Sequence, residues 1–185
     1  MKKVLLYSGG MDSWLIDKLW KPDVKVYVKL GTKNSDEEIK RLPKDIIVAD
    51  FSELHKHEEP NNNFILPLRN LFLVELASYY GDEICLGSTA DDIHLDNCPE
   101  FISHAEDVLN YLWKETGRHC KIVMPFAHLT KAELLREYIK QGGDVECAYK
   151  STFSCYTPID GKECGACSSC SQKRKAFELN GYTNF

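Results

Sequence analysis

The sequence predicts an α/β protein in which a parallel sheet carries helices on both faces. Short apolar or alternating segments recur along the 185 residues and are separated by segments with helical periodicity. This alternation is typical of strand–helix–strand units. The first strand-like segment runs into a glycine pair, Gly9-Gly10, and then into a helix-like segment. Parallel sheets bind ligands beyond the carboxyl ends of their strands, so this junction is the first candidate for a site.

Five segments have the length and residue pattern of strands. They are residues 3–7, 24–30, 44–50, 84–87 and 120–124. The second of them alternates apolar and polar side chains, as expected of a strand with one buried face. Because helix-like segments separate them, we predict one five-stranded parallel sheet of Rossmann-like type.

Five further segments are predicted to be helical, namely residues 14–19, 36–42, 68–80, 101–113 and 130–141. The segment 68–80 is apolar almost all round, which predicts burial on two sides, and Gly81 is predicted to end it. Thr130 and Glu133 form a capping box at the start of the last helix. Residues 52–63 are polar and are predicted to be an exposed loop.

The size and charge of the chain exclude some classes of protein. A chain of 185 residues fits one domain, residues 1–185. The net charge of −5 argues against a broad nucleic-acid surface, and the basic cluster 173–175 is predicted to be a solvated helix face.

No apolar stretch approaches the ~18 residues of a membrane span, and glycine interrupts the apolar start too early for a signal peptide. We expect a cytoplasmic protein that contacts neither membranes nor nucleic acids.

Four of the eight cysteines are clustered as C-x8-C-x2-C-x2-C, at Cys155, Cys164, Cys167 and Cys170. Without a secretion signal, disulfides are not expected. Thiolates at this spacing can converge on one tetrahedral zinc ion, and four of them leave no position open for water. The segment 151–175 therefore predicts a structural zinc site, with an iron–sulfur cluster as the alternative.

The residues from Ser8 to Ser13 form a candidate phosphate site. Their turn and the first turn of the following helix direct unpaired amides at one point, which carries partial positive charge. Phosphate groups bind at such points. Ser8 and Ser13 add hydroxyl donors, and Asp12 could hold a magnesium ion. The alternative is an ordinary glycine turn with a serine or aspartate cap.

Lys131 breaks a local preference, because a cation in the first turn of a helix opposes the helix dipole. It follows the fifth predicted strand and so lies at the ligand edge of the sheet. From there a lysine could reach phosphate groups bound at the glycine loop. The alternative is a surface lysine without a role.

The order Ser-Gly-Gly-Met-Asp-Ser resembles the PP-loop of the ATP pyrophosphatases, which cleave ATP to AMP and pyrophosphate and activate a substrate as its adenylate. Further stretches extend the resemblance along the chain: residues 67–70, 130–133, 152–156 and 164–170. Together and in this order they resemble the 7-cyano-7-deazaguanine synthase family of queuosine biosynthesis. The cysteine stretch with its Ser-Cys-Tyr lead-in is the more specific part.

This resemblance implies an adenine nucleotide alpha hydrolase fold, magnesium–ATP and one structural zinc ion on the four cysteines. It implies 7-carboxy-7-deazaguanine, ammonia and ATP as small-molecule substrates, with a nitrile as product. The implied nucleotide-binding residues are Ser8, Gly9, Gly10, Met11, Asp12, Ser13 and Leu30. The implied catalytic residues are Asp12, Lys131 and Arg69, and the implied substrate-binding residues are Arg69, Asp92 and Asp96. The apolar segment 68–80 suggests a homodimer.

Two stretches depart from the family pattern. Leu30-Gly31-Thr32-Lys33-Asn34 stands where the family has Tyr-Gly-Gln-Arg-His, and Asp96-Asn97-Cys98 lacks the arginine of the family's Asp-Cys-Arg. The middle of the chain is also shorter than usual. The alternatives are a related ligase that stops at the amide or conjugates a deazapurine, and a zinc-stabilised nucleotide-binding module without catalysis.

Overall fold

The computed structural model describes residues 1–59, 66–92 and 94–185. Its five parallel strands are β1 (Lys3–Leu6), β2 (Val24–Lys29), β3 (Ile47–Asp50), β4 (Glu83–Cys85) and β5 (Lys121–Val123), in the order β3-β2-β1-β4-β5. The predicted α/β class and the predicted five-stranded sheet are confirmed. Each strand is shorter than its predicted segment. Some residues at the ends of the predicted segments continue the apolar pattern but lie outside the strands.

Seven α-helices lie in the described part of the chain. They are α1 (Met11–Trp20), α2 (Ser35–Ile39), α3 (Arg69–Ser78), α4 (Pro99–Trp113), α5 (Lys131–Lys140), α6 (Val145–Ser151) and α7 (Ser168–Glu178). The capping box of α5 is present as predicted, with the Thr130 side chain bonded to the amide of Glu133 and the Glu133 side chain to the amide of Thr130. Among these described residues, no helix is both long and apolar enough to cross a membrane.

The two faces of the sheet carry separate apolar layers. Val4 of β1 packs on one face with Val74 of α3 and Leu109 of α4. Its neighbour Leu5 packs on the other face among side chains of α1, α5 and α7, including Phe177. Successive side chains of a strand point to opposite faces, which produces this division. Both faces are covered, as the fold class predicts.

The strand order places a reversal between β1 and β4. From β1 the chain first builds outward through β2 and β3, and then returns to the other side of β1 with β4 and β5. The connections leaving the carboxyl ends of β1 and β4 therefore diverge, which opens a crevice between them. The loop that begins at Ser8 follows β1, and the loop from Leu86 to Asp92 follows β4, so both border this crevice.

Gly81 does not end α3 in the way the sequence predicted. The cap of α3 is Tyr79 in a right-handed conformation, and Gly81 does not have a positive φ. A Cβ on Gly81 would instead lie 2.6 Å from the carbonyl oxygen of Lys2 and 2.5 Å from a methyl group of Val4. Glycine is required here because the backbone approaches the first strand closely.

Three further segments differ from the prediction. Residues Ser52–His57, predicted as loop, form a 3-10 helix, and residues 60–63 of that predicted loop lie outside the described residues. Helix α6 was not predicted, and only residues 173–175 of α7 were predicted to be helical. α6 is capped by Asp144, whose carboxylate accepts hydrogen bonds from the amides of Glu146 and Cys147.

Candidate functional site

The glycine loop after β1 turns sharply into α1 and is held by its own serine side chains. Gly9 has a φ of +78°, a conformation that glycine adopts without steric cost. The Ser13 hydroxyl accepts from the amide of Ser8 and donates to the carbonyl of Gly10, both at 3.2 Å. The Ser8 hydroxyl accepts from the amide of Gly10 at 3.3 Å. Two hydroxyl groups thus lie beside the N-terminus of α1.

A residue from the far end of the chain caps the first amide of α1. The N-cap residue, Gly10, has no side chain to do so. Instead the Ser154 hydroxyl accepts a hydrogen bond from the amide of Met11 at 2.9 Å, across 143 residues of sequence. The adjacent amide of Phe153 donates to the carbonyl of Gly9 at 3.0 Å. The segment that precedes the cysteines therefore braces the glycine loop.

A buried ion pair anchors this bracing segment. The ammonium group of Lys173 lies 3.1 Å from both carboxylate oxygens of Glu163 and 2.6 Å from the carbonyl oxygen of Thr152. The amide of Ser154 donates to Glu163 at 2.6 Å. The Lys173 side chain is only 4% exposed, so the prediction that it belongs to a solvated helix face is wrong. Helix α7 turns this position inward, where Glu163 supplies the compensating charge.

Burial lowers the pKa of Lys173, although the neighbouring carboxylate of Glu163 opposes the shift. The cost of desolvating the two charges thus offsets part of the attraction between them. Its hydrogen bonds to the backbone fix the position of residues 152–154, which is the part of the segment that touches the glycine loop.

Four thiols converge in the same segment. The sulfur atoms of Cys155, Cys164, Cys167 and Cys170 all lie within 4.8 Å of one another, and Gly165 makes the turn between two of them with a φ of +70°. Zinc–sulfur bonds of ~2.3 Å in a tetrahedron would require only a slight contraction of this set. The four cysteines fit a structural zinc site, as predicted.

Hydrogen bonds prepare one of these thiols for metal binding. The Thr157 hydroxyl donates to the sulfur of Cys164 at 3.4 Å, and the amides of Ala166 and Cys167 donate to it at 3.5 and 3.3 Å. These donors lower the pKa of Cys164 to about 6. The thiolate is the form that binds metal, so the backbone favours the ligand state at neutral pH.

Lys131 joins the two loops that border the crevice. Its ammonium group lies 2.5 Å from a carboxylate oxygen of Asp12 and 3.2 Å from one of Asp92. Its backbone amide donates to Asp91 at 2.7 Å. Thr89 holds Asp92 in place, because its amide and its hydroxyl both donate to the same carboxylate oxygen at 3.0 Å. Two carboxylates therefore contact the ammonium group, and a third, that of Asp91, binds the backbone amide of the same residue.

The cluster formed by Asp12, Asp91, Asp92 and Lys131 contains three carboxylates but only one ammonium group. The side chain of Lys131 is 9% exposed; burial lowers its pKa, but the carboxylates of Asp12 and Asp92 outweigh this effect and the pKa is raised. Burial raises the pKa of Asp12, with Lys131 opposing it. One buried oxygen of Asp12, Oδ1, has no hydrogen-bond partner among the described residues. An excess of carboxylate with a free oxygen fits a divalent cation such as magnesium.

Arg69 and Asp96 lie together, but in a second group of contacts. The guanidinium group of Arg69 donates to the side chain of Asn70 at 3.1 Å, and Asn70 donates to the backbone carbonyl of Asp96 at 2.9 Å. The side chain of Asn97 donates to the carbonyl of Asp92 at 3.1 Å. This chain of hydrogen bonds connects the start of α3 to the charged cluster, although Arg69 itself is exposed and forms no hydrogen bond or ion pair with the described residues of that cluster.

The two apolar residues of the predicted nucleotide site lie mostly in the core. The side chain of Met11 is buried among the residues of α1 and its neighbours, and only its amide faces the loop. Leu30 is buried after the end of β2. The adjacent Gly31 has a φ of +78°, and a Cβ there would lie 2.1 Å from the carbonyl oxygen of Ser52.

Sequence reasoning missed several residues that build this site: Thr89, Asn70, Ser154 and Glu163. Thr89 follows a predicted strand at the ligand edge, which was a usable signal. Ser154 was noted only as part of the stretch leading into the cysteines. No local pattern relates Ser154 to Met11 or Glu163 to Lys173, since those pairs form only in the folded chain.

Comparison with known proteins adds a family to this geometry. The profile described as "Queuosine biosynthesis protein QueC" matches residues 25–181. The matched range includes Lys131 and the four clustered cysteines, and it begins after the glycine loop.

Relatives that span the whole chain cover the loop as well. The 7-cyano-7-deazaguanine synthase of Citrifermentans bemidjiense is 35% identical over 99% of this chain and 96% of the relative. The 7-cyano-7-deazaguanine synthase 1 of Colwellia psychrerythraea is 28% identical over the same shares. The enzyme of Methanosphaerula palustris is 29% identical over 100% of this chain and 97% of its own length. With its glycine loop at the switch point and its four convergent thiols, this chain belongs to the QueC family of queuosine biosynthesis proteins.

Proposed function

We propose that this chain is a cytoplasmic enzyme that uses ATP to convert 7-carboxy-7-deazaguanine and ammonia into 7-cyano-7-deazaguanine. The observation that carries the proposal is the meeting of the glycine loop, Asp12 and Lys131 at the crevice between β1 and β4. The names of the relatives supply the product. We further propose that residues 1–185 form one domain and that no nucleic acid is bound.

The chemistry explains why such a loop is needed. A carboxylate does not react with ammonia until one of its oxygens becomes a good leaving group. Transfer of AMP from ATP to the carboxylate provides that group and releases pyrophosphate; ammonia then displaces AMP to give the amide. A second adenylation, on the amide oxygen, and loss of AMP and a proton give the nitrile. Fixed donors that stabilise the departing pyrophosphate lower the barrier of each adenylation.

In this proposal the residues of the loop hold the phosphates of ATP. Ser8, Gly9, Gly10 and Ser13 supply hydroxyl and amide donors. The amide of Met11, which donates to Ser154, adds the partial positive charge of the helix terminus. Lys131 neutralises charge that develops on the leaving pyrophosphate. Asp12 and Asp92 would hold the magnesium ion that accompanies ATP. Leu30 would line the apolar wall near the adenine.

Arg69, Asp92 and Asp96 are the proposed contacts to the deazapurine, with Arg69 facing the carboxylate or the phosphate. The family arginine that is missing next to Asp96 and Asn97 is replaced by Cys98, whose sulfur accepts from the amide of Phe101 at 3.5 Å and caps α4. A charge-assisted hydrogen bond contributes roughly 1.5–3 kcal/mol. The absence of the arginine's hydrogen bond to the deazapurine weakens substrate binding but leaves the reaction with ATP unchanged.

The paired charges of Asp12 and Lys131 provide the first test. Asp12→Asn keeps the shape of the side chain but removes its charge, and Lys131→Gln removes the cation. Each should lower turnover by ~10²-fold or more, the usual scale for losing one preorganised group. The measurement is the initial rate of pyrophosphate release with saturating ATP.

Lys140→Gln is the matched control, because Lys140 lies at the exposed end of the same helix and pairs only with Glu137 among the described residues. Thermal unfolding of all three variants separates loss of activity from loss of structure. Normal turnover in folded Lys131→Gln would remove this residue from the mechanism.

The product decides between this function and its alternatives. The purified chain, incubated with 7-carboxy-7-deazaguanine, ATP, magnesium and ammonium, should yield the nitrile by mass spectrometry, with two AMP released per nitrile. Amide that accumulates without nitrile would assign the chain to a ligase that stops at the amide. Binding of ATP with no pyrophosphate released would support a non-catalytic module.

The metal site predicts a structural effect rather than a slower enzyme. Cys167→Ala should lose the one zinc ion per chain and give an unfolded or poorly soluble protein, because the segment that braces the glycine loop has little apolar core of its own. Cys147→Ala, at an exposed cysteine outside the cluster, should retain zinc and fold. Elemental analysis that finds iron, or an active sample without metal, would contradict this assignment.

A homodimer is the proposed assembly, and two aromatic side chains support it. Tyr79 after α3 and Tyr111 of α4 are 63% and 78% exposed. Light scattering after gel filtration should give twice the chain mass of 21.2 kDa. Tyr111→Glu should shift the mass toward a monomer, whereas a monomeric mass of the unaltered chain would rule the dimer out.

A further inference from the structure

We infer that Ser154 is a third hydroxyl of the phosphate cradle, contributed to the glycine loop by the cysteine segment, and that it donates a hydrogen bond to a phosphate oxygen of the nucleotide. This inference rests on the proposed function, since it deepens the assignment of the loop to pyrophosphate. It concerns a residue that lies 143 positions away from the loop in sequence.

The first support is the direction of the hydrogen bond that Ser154 already makes. Its oxygen accepts from the amide of Met11 at 2.9 Å, so its hydroxyl proton remains free to donate. Among the contacts of the described residues, none gives that proton an acceptor. Every serine that caps a helix through its oxygen keeps such a proton; here that proton belongs to a hydroxyl beside the glycine loop.

The second support is that two hydroxyl groups lie close to Gly10. A Cβ placed on Gly10 would lie 3.2 Å from the hydroxyl oxygen of Ser8 and 3.6 Å from that of Ser154. Both hydroxyl groups therefore lie on the same side of the loop, next to the N-terminus of α1. Gly10 has an ordinary φ of −67°, so its backbone conformation does not require glycine, but a side chain there would crowd the hydroxyl of Ser8.

The third support is electrostatic. The amide of Met11 carries part of the positive end of the helix dipole. Its hydrogen bond polarises the hydroxyl of Ser154 and strengthens it as a donor. The hydroxyl of Ser154 can thus donate to an anion, whereas the amide of Met11 is already bonded to Ser154.

The bracing network keeps this donor in place before the nucleotide binds. The amide of Ser154 is bonded to Glu163, and Glu163 is paired with the buried ammonium of Lys173. The next residue, Cys155, belongs to the thiol cluster. The hydroxyl of Ser154 therefore needs little further ordering when the nucleotide binds, and such preorganised donors contribute most.

The test uses the full chain with zinc bound and inorganic pyrophosphate with magnesium as the probe, followed by isothermal titration calorimetry. Ser154→Ala should weaken pyrophosphate binding about ten- to a hundredfold, the range for a hydrogen bond to a charged group. Ser154→Thr, which keeps the hydroxyl, should restore most of the affinity. Ser171→Ala, at an exposed serine of the same segment, should bind like the unaltered chain. Zinc content is measured for every variant and should remain one per chain.

A purely structural role gives a different result. If Ser154→Ala lowers the melting temperature but binds pyrophosphate as tightly as the unaltered chain, the hydroxyl is a cap and the inference is overturned. Should that variant not fold, Gly10→Ala is the second test, because its methyl group would occupy the space between the two hydroxyls. Unimpaired binding by Gly10→Ala would also overturn the inference. If the unaltered chain does not bind pyrophosphate, the proposed function fails together with the inference.

Discussion

The buried ammonium group of Lys131 is the interaction on which the arrangement of the site depends. It lies between Asp12, which belongs to the first helix, and Asp92, which follows the fourth strand. Without a cation at this point, the carboxylates of Asp12 and Asp92 would face one another in a partly buried crevice, and their repulsion would separate the two loops. The position of Lys131 in the first turn of α5 opposes the helix dipole by at most about 1 kcal/mol. The attraction of the carboxylates outweighs this cost.

The fold could be predicted from the sequence because its signals are local. The strands follow from apolar runs, and the capping box at Thr130 and Glu133 marks the start of α5 without knowledge of the rest of the chain. The same local evidence identified α7 only at residues 173–175, because its sequence is largely polar and few of its positions are buried. It also placed Lys173 in solvent, since the compensating charge of Glu163 lies ten residues away in a loop. Gly81 was assigned to a helix end because close approach to β1 leaves no mark in sequence.

The residues of the site can also be divided into those that a local sequence signal identifies and those that it does not. Ser8, Gly9, Gly10, Asp12 and Ser13 are adjacent in sequence, so their motif could be recognised directly. Lys131 could be suspected because it violates a local preference. The role of Ser154 could not be derived, since it depends on a contact between opposite ends of the chain. The 218 positions aligned with the Colwellia psychrerythraea relative exceed the 185 residues of this chain, so that relative has segments that this chain lacks. The loop, Lys131 and the four cysteines are all present in this chain.

The contact between Met11 and Ser154 also bears on how the chain reaches its final shape during synthesis. The glycine loop is synthesised before its cap, which follows 143 residues later, and before its brace at Phe153 and the ion pair of Lys173. Contacts between distant parts of a sequence form slowly because a long loop must close first. The nascent chain therefore carries an unfinished nucleotide loop until the segment that contains Ser154 has been translated. The order of synthesis thus delays nucleotide capture until the metal-binding segment has folded onto the loop.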